Sequence, residues 1–337
     1  MTVRVAINGF GRIGRNVLRA LHESGRTDIE VVAINDLSST DNLAHLLKYD
    51  SVHGRFPGTV KVKDNSIDIG HGPIEITAVR NLEDQNWADN KVDIVFECTG
   101  IFTARDAAAK HLAAGAKRVL ISAPGANADA TIVYGVNDKT LTKDHIIVSN
   151  GSCTTNALAP VAKVLQDNFG IENGFMTTVH AYTGDQPTLD TIHRKDYNRG
   201  RAAALSMIPT STGAAKAIGL VMPELDGKLD GKAIRVPTPN VSVVDLVVNT
   251  TKKTSVDAVN AAFKKAASSG PLQGVLQVIE DTVVSTDLNH DPHSSSLVLG
   301  ETVVMHDNLV RILSWYDNEW GFSNRMLDTA VAMGKFL

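Results

Sequence analysis

Apolar positions fall into short, unbroken runs in the first half of the chain and into longer β-rich segments in the second. Val3 to Asn8, VRVAIN, is apolar and β-branched, too short for a helix and followed by glycine, which predicts a buried parallel strand. Ile13, Val17, Leu18 and Leu21 then recur at helical spacing until Ser24 and Gly25, and IEVVAIND over 29–36 supplies a second strand. Together they predict a βαβ unit. Further apolar runs at 92–100, 116–124, 131–137 and 145–150 alternate with helical or loop stretches such as 104–115, the pattern of a doubly wound sheet. After residue 150 the β-rich segments at 175–183, 233–251, 281–288 and 309–320 are separated by fewer helices and predict a second, mainly antiparallel sheet. Residues 323–337 return to helical spacing, and the segment from Thr183 to Pro209, weakly periodic and charged, reads as an ordered functional loop.

The expected fold class is therefore α/β: a Rossmann dinucleotide-binding domain over 1–151, completed by a C-terminal helix over 318–337, and a second α+β catalytic domain over 152–317. Two domains also suit 337 residues, because single cores rarely grow beyond about 250–300 residues. The formal net charge of -4 offers no basic field to gather nucleic acid or anionic lipid. Nucleic acid is not expected as the main partner. With no signal-like N-terminus and no long apolar run, the expectation is a soluble, cytoplasmic protein without membrane attachment. Two cysteines, Cys98 and Cys153, cannot make a disulfide framework or a structural zinc site, so a cysteine that matters here matters as a thiol.

Gly9, Gly11 and Gly14 form GxGxxG directly after the first strand and at the start of the first helix. Backbone N–H groups and the helix dipole can receive a pyrophosphate there. Asp36 ends the second strand, where a carboxylate accepts hydrogen bonds from adenosine ribose hydroxyls and repels a 2′-phosphate. The cofactor expected is NAD rather than NADP.

Cys153 follows a strand and a Gly-Ser turn and sits in the first turn of the helix predicted over TTNALAPVAKVLQ, where the helix dipole favours a thiolate. A thiolate of this kind needs a base, and His180, at the end of FMTTVHAYT, is the best placed of 11 histidines; on spacing alone a structural role is as good a reading. Cys98 reads as a small core residue. NHDPH at 289–293 reads as a polar turn, with no metal site expected. The charged group HRKDYNRGR at 193–201 is either a solvated face or an anion site.

The segments NGFGRIGR, SNGSCTTN, HAYTGDQ, STGAAKA, RVPTPNVSVVDL and WYDNEWGFSNR, in this order and across the whole chain, resemble the phosphorylating glyceraldehyde-3-phosphate dehydrogenase family. The resemblance implies that Cys153 attacks the aldehyde of glyceraldehyde 3-phosphate, that the hemithioacetal gives a hydride to NAD and becomes a thioester, and that inorganic phosphate releases 1,3-bisphosphoglycerate. His180 would be the base. Thr183 and Arg235 would hold the substrate phosphate, Arg199 would serve both anion pockets, and Ser152, Thr154, Thr212 and Gly213 would hold inorganic phosphate. Arg12 and Ile13 would join the glycine loop through their backbone, Thr99 and Ser122 would line the crevice, and Asn318 would bind the nicotinamide carboxamide. The family also implies a homotetramer whose 183–209 loop reaches a neighbouring subunit's cofactor.

Four positions depart from the family pattern: Gly151 stands for the usual alanine, Ala157 for a common second cysteine, Asn198 for a frequent arginine and Phe322 for a tyrosine. None removes a reacting group. Erythrose-4-phosphate dehydrogenase, a sister enzyme, is the alternative, disfavoured because Thr183 and Thr212 are present. A rival from another class is a protein that binds NAD while its main role is contact with a partner.

Overall fold

A computed structural model describes residues 2–193 and 196–337; Arg194 and Lys195 of the charged group at 193–201 lie outside the described residues. The chain divides into two compact units, one formed by Met1–Ile132, Asp138–Ser152 and Ser323–Leu337, the other by Val133–Asn137 and Cys153–Phe322.

The first unit is built on β1 (Val3–Asn8), α1 (Arg12–Ser24), β2 (Ile29–Asn35), β3 (Ile94–Glu97), β4 (Arg118–Ile121) and β5 (Ile147–Ser149). These strands are parallel and lie in the order β5, β4, β3, β1, β2. Pro73–Thr77 continues the sheet in parallel beside β2, and Ser66–Asp68 and Lys61–Lys63 close that edge as an antiparallel hairpin. Nearly every residue of β1, β3 and β4 is buried, which is why these strands read as unbroken apolar runs. Strand order reverses on either side of β1, so a crevice opens beyond the carboxyl ends of β1 and β3. Helix α1 ends at Gly25, whose φ of 64° is the left-handed cap that glycine accepts without strain.

The second unit carries α2 (Cys153–Phe169), β6 (Ile171–Ala181), α3 (Ala214–Val221), β7 (Leu229–Val236), β8 (Ser242–Thr250), β9 (Leu309–Tyr316) and the start of α4 (Trp320–Gly334). Its sheet runs Ile208–Ser211, β7, β6, β8, β9, Ser295–Val298, Leu276–Ile279. It is mixed: β6 is parallel to β7, and Leu276–Ile279 is parallel to Ser295–Val298, while the remaining pairs on this path are antiparallel. In β8, Val244, Leu246 and Val248 point into a core shared with Leu158, Val161 and Leu165 of α2, while Asp245, Val247 and Asn249 face outward. One face of the sheet is covered, and the sequence alternates accordingly.

Some expected strands are shorter or absent. Of 131–137 only Thr131 joins a strand, because the chain turns at Val133–Asn137, with Gly135 at φ 83° and the Asn137 side chain accepting the Val133 N–H. The segment 281–288 ends in a 3₁₀ turn over Ser285–Leu288, and 233–251 is two strands broken at 237–241. The C-terminal part of α4 packs in the first unit, where Thr329 donates to Asn150 (2.7 Å) and Asp328 pairs with Arg26 (2.6 Å).

Candidate functional site

In the first unit the three glycines have separate tasks. Gly9, at φ 91°, faces the chain beyond β3 so closely that a Cβ would lie 2.7 Å from the Thr99 nitrogen. Gly14 packs α1 onto the turn: its Cβ would lie 2.2 Å from the Gly9 carbonyl oxygen. Gly11, at the N-terminus of α1, has nothing within 4 Å of that position, so its backbone is open to a ligand. The side chain of Arg12 is held by Asp50 (2.6 Å), which leaves the first turn of the helix, with Ile13, to present backbone N–H groups. Burial tends to raise the Asp50 carboxyl, yet the His53 and Val52 amides and the Arg12 charge hold it below the ordinary value.

Asp36 accepts the Phe10 N–H (2.8 Å) on one oxygen and the Ser38 N–H (3.0 Å) on the other. Each oxygen keeps a further acceptor position. Asp36 therefore ties the glycine loop to the end of β2 and lines the cleft beside it. A cleft of about 310 Å³ is lined by Gly9, Gly11, Asp36, Arg80, Thr99 and Phe102, among others. Ser122 is held by the Glu97 carbonyl, which accepts both its N–H and its hydroxyl at 3.0 Å. An open backbone cradle, a carboxylate with spare acceptor positions and a mainly apolar cleft suit a dinucleotide. Arg80 has no motif of its own and is visible only once the strand Pro73–Thr77 is placed beside β2. Burial pushes the Cys98 thiol up to about 12, in keeping with an inert cysteine.

The second unit holds the thiol. Cys153 begins α2 and His180 lies near the end of β6, and the fold brings Sγ to 3.5 Å from His180 Nε2. His180 Nδ1 lies 2.6 Å from the Ala181 carbonyl, which can only accept. Nδ1 therefore carries the proton, and Nε2 turns a bare lone pair toward the thiol. The Arg235 guanidinium, although 3.1 Å from Nδ1, meets a donor there and directs its hydrogen bonds to the Ala181 carbonyl (3.0 Å) and Thr183 Oγ1 (3.1 Å). Burial and the Arg235 charge push His180 down to about 3. Burial also raises the Cys153 thiol, against the opposite pull of Arg235 and Thr154, the reverse of the shift expected from the helix start. Both directions favour the uncharged forms of thiol and imidazole.

Most of the further residues expected at the site lie in the same unit. Thr154 Oγ1 lies 2.9 Å from the buried Tyr316 hydroxyl, which also contacts Thr178 (3.0 Å). Arg199 donates to Thr210 (2.8 Å) and pairs with Asp185 (3.1 Å), and Thr183 donates to the same carboxylate. Thr183, Arg199 and Arg235 thus form one group around Asp185, whose carboxyl is held below the usual range despite burial by Thr183 and the two arginines. Asp185 and Tyr316 carry no signal of their own in the sequence, although they fall within HAYTGDQ and WYDNEWGFSNR. Thr212 and Gly213 precede α3, where Thr212 Oγ1 accepts the Ala214 N–H (3.2 Å) and Gly213 has open space above its Cα. Asn318 is fixed by Ser242 (2.9 Å), which itself accepts the Ala181 N–H (3.0 Å). Ser152 immediately precedes the thiol and closes a turn in which Gly151 has φ 66°. Glycine suits that left-handed position better than the family's alanine. In the 289–293 segment His290 stacks on Trp320 (3.5 Å) and Asp291 pairs with His293 (2.8 Å).

Comparison with known proteins gives two family matches: "Glyceraldehyde 3-phosphate dehydrogenase, NAD binding domain" over residues 3–105 and "Glyceraldehyde 3-phosphate dehydrogenase, C-terminal domain" over 152–318. Similar proteins named glyceraldehyde-3-phosphate dehydrogenase include one from Cereibacter sphaeroides, 67% identical over 100% of both chains. One from Xanthobacter flavus is 67% identical over 99% of both, and one from Geobacillus stearothermophilus is 56% identical over 98% of both. Nothing in these matches favours the erythrose-4-phosphate alternative.

Proposed function

Because the chain belongs to the glyceraldehyde-3-phosphate dehydrogenase family of NAD-dependent oxidoreductases, we propose that it oxidises glyceraldehyde 3-phosphate with inorganic phosphate as second substrate and Cys153 as nucleophile. The observation that carries this reading is the 3.5 Å contact between the Cys153 thiol and the bare Nε2 of His180.

The steps follow from that contact. His180 Nε2 takes the thiol proton as Sγ bonds to the aldehyde carbon and passes it to the carbonyl oxygen, so the new hydroxyl of the hemithioacetal faces a neutral imidazole again. Bound NAD supplies the acceptor for the hydride that leaves this carbon. As the hydride departs, His180 holds the hydroxyl proton and Cys153 carries a thioester. Attack by inorganic phosphate on the thioester carbon expels the thiolate and yields 1,3-bisphosphoglycerate. A thioester keeps the energy of oxidation for this transfer, which an oxygen ester on a serine would retain less well.

Thr183, Arg199 and Arg235 would hold the substrate phosphate, displacing the Asp185 carboxylate that now engages Thr183 and Arg199. Such an exchange suits the resting state: Arg235 depresses His180, and a dianion beside Arg235 offsets that charge and makes the imidazole a better base. Ser152, Thr154, Thr212 and Gly213, with Arg199, would receive inorganic phosphate. On the cofactor side, the glycine loop, Asp36, Thr99, Ser122 and Asn318 would hold NAD.

We also propose a homotetramer. Ile192 and Tyr197, in the 183–209 segment, are 94% and 93% exposed, and Leu189, Leu205 and Met207 are also exposed, apolar surface suited to a second copy. No described helix is long and apolar enough to cross a membrane, and a cytoplasmic location is part of the proposal.

The test is NADH formation from glyceraldehyde 3-phosphate and NAD, with and without inorganic phosphate, before and after alkylation mapped to Cys153. Phosphate-dependent turnover that alkylation abolishes supports the reading; NAD binding without turnover overturns it.

A further inference from the structure

A string of buried polar side chains runs from Asn8 and Asn35 in the wall of the cofactor cleft into the first unit and takes no part in the chemistry above. Trp87, His111, Glu97, Asn8 and Asn35 are each at most 5% exposed. At one end the Trp87 indole N–H donates to His111 Nδ1 (3.1 Å). An indole can only donate, so the imidazole proton sits on Nε2 and is donated to Glu97 Oε2 (3.0 Å). At the other end the Val79 N–H donates to Asn35 Oδ1 (2.8 Å), the Asn35 amide donates to Asn8 Oδ1 (2.8 Å), and the Asn8 amide donates to Glu97 Oε2 (2.6 Å). Two directed chains of donors end on one carboxylate.

Its other oxygen, Oε1, accepts the Thr99 N–H (2.9 Å) and the Thr99 hydroxyl. Four donors thus fill the four lone-pair positions of a carboxylate, and none of them is a lysine or an arginine. A buried carboxylate held only by neutral donors is expensive. A neutral side chain of the same size would avoid that cost if nothing but packing were required here. What Glu97 gains is control of both walls of the crevice. Asn8 leads into the Gly9 turn, Thr99 lies against Gly9 so closely that a Cβ would come within 2.7 Å of its nitrogen, and the Glu97 carbonyl holds Ser122 through two hydrogen bonds of 3.0 Å.

We propose that Glu97 is a positioning residue for NAD: its carboxylate sets the Asn8–Gly9 turn and Thr99 against each other, with His111 and Trp87 as its outer support. This rests on the NAD-dependent reading but not on the identity of the substrate.

Glu97→Gln keeps shape and volume and replaces an acceptor oxygen by an amide group that must face two existing donors. The Kd for NAD, measured by calorimetry, should rise about tenfold or more. KM for NAD should rise with it, while kcat at saturating NAD stays within about twofold of the parent. A merely structural role would lower thermal stability without this split. A folded Glu97→Gln protein with the parent Kd overturns the proposal. Should that variant not fold, the unsubstituted protein still decides. The Trp87 indole N–H resonance, assigned by its loss in Trp87→Phe, should shift when NAD saturates the site, and a resonance indifferent to NAD overturns the proposal. A parent protein that binds NAD but does not oxidise glyceraldehyde 3-phosphate would break the substrate reading and leave this comparison intact, because it is read on Kd.

Discussion

The glycine loop of the first unit and the thiol–imidazole pair of the second are both close constellations, but they are assembled at different ranges. Gly9, Gly11 and Gly14 belong to one strand–turn–helix, and their spacing alone places them: one glycine for the turn, one for approach, one for packing. Cys153 and His180 instead lie on different elements, and their 3.5 Å contact exists because β6 follows α2 back across the sheet. The first constellation tolerates little change in local backbone. The second tolerates little change in chemistry. Charge separates them as well: the loop offers backbone dipoles to a ligand, whereas at the pair burial raises the thiol and, with Arg235, lowers the imidazole, which favours the uncharged forms.

Substitutions at the two places should separate accordingly. The largest effect is expected for Cys153→Ser, which should cost on the order of 10⁴ or more in phosphate-dependent turnover while leaving NAD binding near normal. Retention of more than a few per cent of activity would remove Cys153 from its role. His180→Asn should slow the reaction by roughly 10²–10⁴-fold, the range of a lost general base, again with little change in the Kd for NAD. Gly14→Ala should do the reverse. A methyl 2.2 Å from the Gly9 carbonyl must displace the loop, so NAD affinity should fall about tenfold or more, with a stability loss of about 1–3 kcal/mol. Calorimetry and thermal melts would show it. Asp36→Gly should weaken NAD several-fold and improve the use of NADP; an unchanged ratio of the two kcat/KM values would contradict the ribose assignment.

The last comparison is of pH dependence. His180 titrates at about 3 in the folded protein against an ordinary value of 6.5. Between these values the unfolded chain takes up a proton that the folded chain refuses, so this contribution is complete above pH 6.5 and is lost as pH falls toward 3. The Tm of the parent should therefore drop more steeply across this window than that of His180→Asn. Parallel Tm curves would show that burial does not hold the imidazole neutral.

Much of this was legible beforehand because it is written at short range. The βαβ unit, the glycine spacing and Asp36 are readable because a two-sided buried sheet leaves continuous apolar runs and a dinucleotide turn needs its glycines at fixed offsets. The family motifs carried Cys153 and His180 as candidates, but spacing by itself left His180 divided between base and structural residue. Strand boundaries were less readable where a turn hides inside an apolar segment: Gly135 and the Asn137 side chain stop the run at 131–137, and the 281–288 segment ends in a 3₁₀ turn. Glu97, Asp185 and Arg80 went unassigned because a lone charged residue has no periodicity to mark it.

By itself, the sequence determined the two-part α/β architecture, the dinucleotide turn and the presence of a thiol at a helix start, since each depends on residues that are neighbours in the chain or recur at a fixed period. Tertiary structure alone decided that the thiol faces a bare imidazole nitrogen, that Arg235 presses on that imidazole, and that two strings of donors meet at Glu97. Those arrangements depend on which side chains share a desolvated volume. Polar groups in such a volume must find partners wherever the fold supplies them, from residues as far apart in the chain as Asn8 and His111.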